Sequence, residues 1–376
     1  MNTNQRLVAS IDHQLLAFYQ NGKLVREYPI STAKKGMGFS LGSYRTPTGK
    51  FSIAEKIGDD APLHTVFENR IATCIWETHE MDSKDRVLTR VIRLHGLDAE
   101  NANTLERNIY IHGTNREDLI GQPASHGCIR LKNDDMIELF NQLDLTAELE
   151  ILPATMPHGK LLFIDCDSTL SSIEGIDELA RACGEDIFAR SVALTEAAMN
   201  GELPIQEVFP KRMEMIRPSK QVADLVAEQY IRHIVPGARE MISHAKASGW
   251  LPIILSGGFA PLIEPLAAYL GIDHVEAVPL SFTADGDYLG YGTDYPTTRN
   301  LGKNEIIREW KKAMLPESVI MVGDGISDLE TRIDVDCFIG FGGVAVRSVV
   351  RSQCDIWLDA FQPPYSWLDV CKNHFT

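Results

Sequence analysis

Three apolar runs, each cut off by a polar turn, constrain this chain more than any other feature. Leu161-Leu162-Phe163-Ile164 leads into Asp165-Cys166-Asp167-Ser168-Thr169, and Ile253-Ile254-Leu255 leads into Ser256-Gly257-Gly258. Val319-Ile320-Met321-Val322 leads into Gly323-Asp324-Gly325-Ile326-Ser327-Asp328. Such runs predict strands of one parallel sheet. Ligands of an open parallel sheet bind beyond the carboxyl ends of its strands, where all three turns fall. Two carboxylates one residue apart after a buried strand are costly unless positive charge shares the site. Lys303, after Gly302 and ahead of a helix-like run, is the candidate for that charge.

The chain changes style near its middle. Residues 7–110 show short alternating runs with turn punctuation, and Asn21-Gly22 between two of them predicts a hairpin. This half reads as mostly β, a sandwich or open barrel. One short helix is expected over Met136–Leu143, after the start signal Asn133-Asp134. The stretch 153–159 has linker composition, and beyond it strands alternate with longer helical patterns, the α/β signature. The expected organisation is a domain over 1–153 and a second over 154–376, with a helical cap at about 174–247 above the strand ends.

The bulk properties exclude several classes. With 376 residues there is room for two cores. The formal net charge of −16, with no basic stripe, argues against nucleic acid as a partner and leaves small-molecule substrates. No apolar stretch approaches the roughly 18 residues that cross a bilayer, so no membrane partner is expected. Seven cysteines stand singly, without zinc or disulfide spacing, and the N-terminus lacks a signal-peptide core. The expected address is cytoplasmic.

The chemistry of the C-terminal turns points to phosphoryl transfer. Asp165 is placed to attack phosphorus, being anionic without a base. Asp167 is placed to protonate the leaving alkoxide and later deprotonate water, which requires a differently tuned carboxyl. A hard cation, Mg2+, suits carboxylates that must meet an anionic substrate, and Asp165, Asp167 and Asp324 are the expected ligands. Lys303, Ser256 and Gly257 would hold phosphate oxygens, and Asp328, one helical turn past Asp324, would orient Lys303 or a metal water. A bare Asp-x-Asp is ordinarily a solvated turn; four elements in order, each after an apolar strand, argue otherwise.

The order Asp-x-Asp-Ser-Thr, Ser-Gly-Gly, Lys, Gly-Asp-Gly-x-x-Asp resembles the haloacid dehalogenase superfamily. Glu174-Gly175-Ile176-Asp177-Glu178-Leu179-Ala180, Arg217-Pro218-Ser219 and Phe338-Ile339-Gly340-Phe341-Gly342-Gly343 narrow the likeness to phosphoserine phosphatases. The resemblance covers 158–376 and implies a Rossmann-like α/β domain with a helical cap. It implies that Glu174 receives the ammonium of phosphoserine and Arg212 its carboxylate. Ser327 departs from the family, where many members carry a larger polar residue.

A second pattern occupies the first half: His112-Gly113-Thr114, then Ser125-His126-Gly127-Cys128-Ile129-Arg130-Leu131. A cysteine with histidine nearby is the layout for thiolate acyl transfer, with His112 raising the thiolate fraction of Cys128. The backbone N–H groups of His126, Gly127 and Cys128 offer an oxyanion hole, and Arg130 a bidentate site for a substrate carboxylate. An inert buried thiol and a metal site on His112, His126 and Cys128 are the competing readings. The motif, with Thr46-Pro47-Thr48-Gly49 upstream, resembles the L,D-transpeptidase catalytic domain over about 7–153. That resemblance implies a mainly β fold and attack by Cys128 on the L,D bond of a peptidoglycan stem tetrapeptide, Ser125, His126 and Gly127 contributing to substrate binding.

The expectation is thus a multidomain enzyme with two substrates, phosphoserine and muropeptides. Family members that resemble the first half act on exported cell wall, so a cytoplasmic copy would trim recycled muropeptides, bind without catalysis, or leave by another route. The rival reading is a phosphatase for another small phosphomonoester, steered by a non-catalytic muropeptide-binding domain. Exposed-looking apolar positions permit a homodimer.

Overall fold

A computed structural model describes residues 4–77, 85–156, 159–199 and 205–370. The chain divides into two compact units, Met1–Pro157 with Trp310–Leu315, and His158–Glu309 with Pro316–Thr376. The expected linker contains residues 157–158 and the expected cap residues 200–204, which lie outside the described residues.

The first unit is built on a ten-stranded sheet. Its main path runs Lys23–Pro29, Leu15–Gln20, Gln5–Ser10, Glu148–Leu152, Gly49–Ile57, Val87–Gly96, Thr65–Glu68, Ile71–Ile75. Tyr110–Thr114 branches from Val87–Gly96 and pairs in parallel with Ile129–Leu131. Asn21 and Gly22 take left-handed backbone angles (φ 51° and 76°), as a two-residue hairpin turn requires, and the hairpin forms there. Alternation decides the faces: Gln5, Leu7 and Ala9 are buried, while Arg6 is exposed and Val8 half-buried. The helix Asn133–Gln142 sets Met136, Leu139 and Phe140 against Leu7, Phe18, Phe51 and Leu149. The mainly β domain expected here is built as a branched mixed sheet, in which Glu148–Leu152 returns to the middle, between Gln5–Ser10 and Gly49–Ile57, and joins the hairpins edge to edge.

The second unit holds a fully parallel sheet in the order Val275–Val278, Trp250–Phe259, Lys160–Ile164, Ser318–Gly323, Cys337–Phe341, Ile356–Leu358. Leu161–Ile164, Ile253–Leu255 and Ile320–Val322 are completely buried, as strands covered on both faces must be. Each such side chain contributes about 1.5–3 kcal/mol through burial, taken as an upper bound. These three strands are immediate neighbours, so their terminal turns gather at one edge.

Between the first and second of these strands come the helices Gly175–Ala182, Glu185–Met199, Ile205–Ile216 and Lys220–Arg232. Ser219 caps the last, its hydroxyl accepting from the Val222 N–H at 3.3 Å. Ala238–Ala247, expected as the end of the cap, packs on strand Trp250–Phe259 instead. Ala238, Met241, Ile242 and Ala245 recur at helical spacing and give it an apolar face suited to the sheet.

Candidate active sites

The C-terminal site is assembled by the sheet. The Asp165 N–H donates to Val322 O at 2.9 Å, which continues the strand pairing into the turn. Lys303, at the start of helix Gly302–Met314, reaches in from the side. Its Nζ lies 2.8 Å from Asp165 Oδ1 and 2.6 Å from Asp328 Oδ1, all three groups buried. Burial alone would lower the Lys303 ammonium; Asp165 and Asp328 overcome it and hold the ammonium above its usual range. Burial and Asp165 raise Asp328 to about 7, against the pull of Lys303. A side chain at Gly323 would sit 2.3 Å from Asp328 Cγ, so the close approach of that carboxylate requires glycine.

Carboxylate oxygens of Asp165, Asp324 and Asp328 lie within 4.8 Å of one another. Asp324 accepts from the Thr169 hydroxyl at 3.2 Å and from Arg347 Nε at 2.9 Å. Burial and then Asp165 push its pKa up, opposed by Arg347. Buried, mutually repelling oxygen donors fit a hard divalent cation, which would relieve that repulsion. Among the described side chains Asp328 joins Asp165 and Asp324 in this cluster, and the expected ligand Asp167 has its carboxylate outside it. Asp167 turns away because its Oδ1 accepts from the Gly175 N–H at 3.1 Å and from the Tyr230 hydroxyl. Burial, Glu174 and Asp165 push Asp167 up to about 8, leaving it protonated at neutral pH.

A cavity of about 260 Å3 opens on these groups, and Asp165, Asp167, Glu174, Gly257, Lys303 and Arg347 are on its wall. Phe209 and Ile176 line its cap side. Glu174 accepts from the Ser168 hydroxyl at 2.7 Å, and burial is the main cause of its raised pKa. Ser256, expected at the phosphate, is buried with its hydroxyl accepting from the Gly258 N–H at 2.9 Å, so it shapes the turn that presents Gly257. Arg212, expected at the substrate carboxylate, is off the wall: its guanidinium is held by Asp177 and, at 2.7 Å, by the Ser191 hydroxyl. Arg347 and Tyr230 join the site without any signal in the sequence, whereas Thr169 belongs to its first motif.

The N-terminal site forms on the face of a strand pair. Ile111 pairs with Ile129 and His112 with Arg130, so Tyr110, His112, Cys128 and Arg130 share one face. Cys128 Sγ accepts from the Tyr110 N–H at 3.3 Å and donates to Asn108 O at 3.5 Å. Burial pushes the thiol up to about 11. Burial is the main cause of that rise, opposed by the Tyr110 N–H, Arg130 and Arg107. Burial likewise keeps His112 neutral. Its Nδ1 lies 2.7 Å from Gly113 O, which makes Nδ1 the protonated nitrogen and leaves Nε2 as the basic one.

Gly127 adopts φ +119°, a left-handed angle closed to most residues, with its carbonyl held by the Thr46 hydroxyl at 3.0 Å. The Ser125 hydroxyl accepts from the Gly127 N–H at 3.2 Å and donates to Cys128 O at 2.6 Å. Gly127 is therefore not the free oxyanion donor expected. Arg130, expected at a substrate carboxylate, is buried and already paired with Asp85, which also contacts His126 at 3.5 Å. Asp85 stays below the usual carboxylate range although burial raises it, because His126, His112 and Arg130 outweigh burial. His126 is exposed and its ring meets Tyr44 edge-on at 5.8 Å. The described residues hold no metal cluster on His112, His126 and Cys128.

A parallel sheet with an aspartate pair, a lysine and an acidic cluster at its strand ends defines a haloacid dehalogenase-like hydrolase, and residues 162–331 match that family. Residues 4–151 match the L,D-transpeptidase catalytic domain. Phosphoserine phosphatase of Mus musculus is 35% identical over 199 residues, covering 52% of this chain and 88% of the relative. That of Homo sapiens is 37% identical over 201 residues, with the same coverage of 52% and 88%. A HAD-family hydrolase from Salmonella enterica subsp. enterica serovar Typhi shares the fold at TM-score 0.50 and 22% identity, over 57% of this chain and 72% of that one. The chain belongs to the phosphoserine phosphatase family and carries an L,D-transpeptidase catalytic domain ahead of it. No helix among the described residues is long and apolar enough to cross a membrane.

Proposed function

We propose that the C-terminal unit hydrolyses O-phosphoserine to serine and phosphate through a phosphoryl group carried on Asp165. The observation that supports this most is Lys303 bridging Asp165 and Asp328 beside Asp167, whose pKa burial raises. Lys303 sets positive charge beside Asp165 and offers it to the incoming phosphate. The Asp165 oxygen bonds to phosphorus as the bond to the serine oxygen breaks, and Asp167 gives that oxygen its proton. Asp167, now anionic, takes a proton from water, whose oxygen displaces Asp165 from phosphorus. Mg2+ on Asp165, Asp324 and Asp328, when bound, supplies the charge that lets an anionic nucleophile approach an anionic phosphate. Glu174 is on the cavity wall for the ammonium, and Arg212 would reach the carboxylate by exchanging Asp177 for substrate. A panel of small phosphomonoesters tests the reading. Phosphoserine should exceed uncharged aryl phosphates in kcat/KM at least about tenfold, with activity lost on chelation and restored by Mg2+. Equal rates across the panel would favour a general phosphatase.

The first unit supports a second reaction, acyl transfer from the L,D bond of a peptidoglycan stem peptide. His112 Nε2 takes the Cys128 proton as sulfur bonds to the carbonyl carbon. The C–N bond breaks, the leaving amine receives that proton, and water or another amine then releases the acyl group from sulfur. Six described cysteines are all free, in keeping with a reducing cytoplasm and a substrate of recycled muropeptides. Covalent acylation of Cys128 by a carbapenem, read by intact mass, tests this half.

A further inference from the structure

We infer that a cavity beside Cys128 is a carboxylate subsite in which Arg70, assisted by Arg93, binds the free C-terminus of a short peptide. The inference rests on the acyl-transfer reading of Cys128 and names what that site selects. The cavity has a volume of about 650 Å3. Phe67, Val91 and Tyr110 line it, and these are the residues against which Cys128 packs. Asn108 and Tyr110, whose backbone atoms hold Cys128 Sγ, also line it. The thiol and the cavity therefore share a wall.

That wall carries two arginines, Arg70 and Arg93, beside Glu106, and Glu55, next to it, acts on both arginines. Arg70 is fully exposed, and its hydrogen bonds go to neutral groups, Asn108 Oδ1 at 3.0 Å and the Tyr110 hydroxyl at 3.2 Å. These bonds aim the guanidinium without neutralising it. Arg93 pairs with Glu55 at 3.0 Å through Nη1, while its Nε is buried with no hydrogen-bond partner. By contrast, Arg130, the arginine beside Cys128 in the motif, is neutralised by Asp85. A planar guanidinium with neutral supports is the matching partner for a carboxylate.

In the reaction proposed above, the leaving D-amino acid of a tetrapeptide carries that carboxylate. Seating it orients the scissile carbonyl toward sulfur and makes the domain act on free C-termini, not on bonds inside a longer chain. Lys or uncharged residues at position 70 would lose the planar fork.

The test measures binding, by calorimetry, of a tetrapeptide ending in D-alanine as free acid and as its C-terminal amide. The protein is the full chain carrying Cys128→Ala, so nothing turns over. The acid should bind at least about tenfold more tightly than the amide, the ratio expected of a charge-assisted bond. Adding Arg70→Gln should erase the ratio, Arg70→Lys should retain part of it, and Arg93→Gln should narrow it. Equal binding of acid and amide, binding of neither, or a ratio untouched by Arg70→Gln overturns the subsite. Thioester formation on wild-type Cys128 is scored separately. Its absence with an Arg70-dependent ratio would remove the acyl-transfer reading and leave the subsite standing.

Discussion

The two candidate sites handle burial in opposite ways. At the sheet edge of the second unit, Asp165, Asp324, Asp328 and Lys303 are charged groups packed against one another, each made tolerable by the next. On the strand face of the first unit, burial works against charge on the reactive pair, pushing the Cys128 thiol up to about 11 and the His112 imidazole down. Asp85 and Arg130 pair beside them, and Arg107 acts on Cys128 from further off. The contrast follows from the tasks. A phosphate arrives with charge that must be met by charge, whereas an amide is neutral and needs a nucleophile unmasked at the moment of attack.

The comparison breaks most readily at Asp165. Asp165→Asn should lower phosphate release from phosphoserine on the order of a thousandfold or more, while leaving carbapenem acylation of Cys128 unchanged. Linked losses in both assays would mean that the sites are not separate chemistries. Lys303→Ala comes next: it strands two buried carboxylates and should cost about 3–5 kcal/mol in urea unfolding of the second unit, besides activity. A change below about 1 kcal/mol would show that the Lys303 bridge is not what keeps these charges buried.

Smaller effects sharpen the picture. Arg212→Ala should raise KM for phosphoserine roughly tenfold and leave an uncharged aryl phosphate unaffected, if Arg212 leaves Asp177 for substrate. Equal effects would make Arg212 a structural partner of Asp177. The Cys128 thiol gives a pH test. With its pKa raised to about 11, the thiolate fraction grows on rising pH, so alkylation should accelerate roughly tenfold per unit from pH 7 to 9 without a plateau. A plateau near neutrality would show a thiolate already formed at rest.

Much of the second site was legible because its residues end apolar runs. Leu161–Ile164 announces a buried strand, and a carboxylate directly after it has few structural reasons to exist. Tyr230 was not legible. It lies on helix Lys220–Arg232 with Ala223, Val226 and Ala227, a spacing that reads as plain core, and nothing local shows that its hydroxyl reaches Asp167. Arg347 stands just before the short helix Ser348–Gln353, and its contact with Asp324 spans 23 residues. The replacement of Asp167 by Asp328 in the cluster depends on side-chain direction, which motif order does not carry. In the first unit the motif marked Cys128 and His112, but the partner of Arg130 and the arginines of the cavity lie on strands and turns with no motif of their own. Alternation reports which face of a strand is buried, not which strand edges meet, so the return of Glu148–Leu152 to the middle of the sheet was not legible.

The central claim is that Asp165 takes the phosphoryl group in a site it shares with Lys303, Asp324 and Asp328. Acid-quenching the full-length protein during turnover of phosphoserine and mapping the modified peptide tests it most directly. The expected result is a phosphoryl adduct on Asp165, absent from Asp165→Asn. An adduct on another residue, or undiminished turnover by Asp165→Asn, would contradict it.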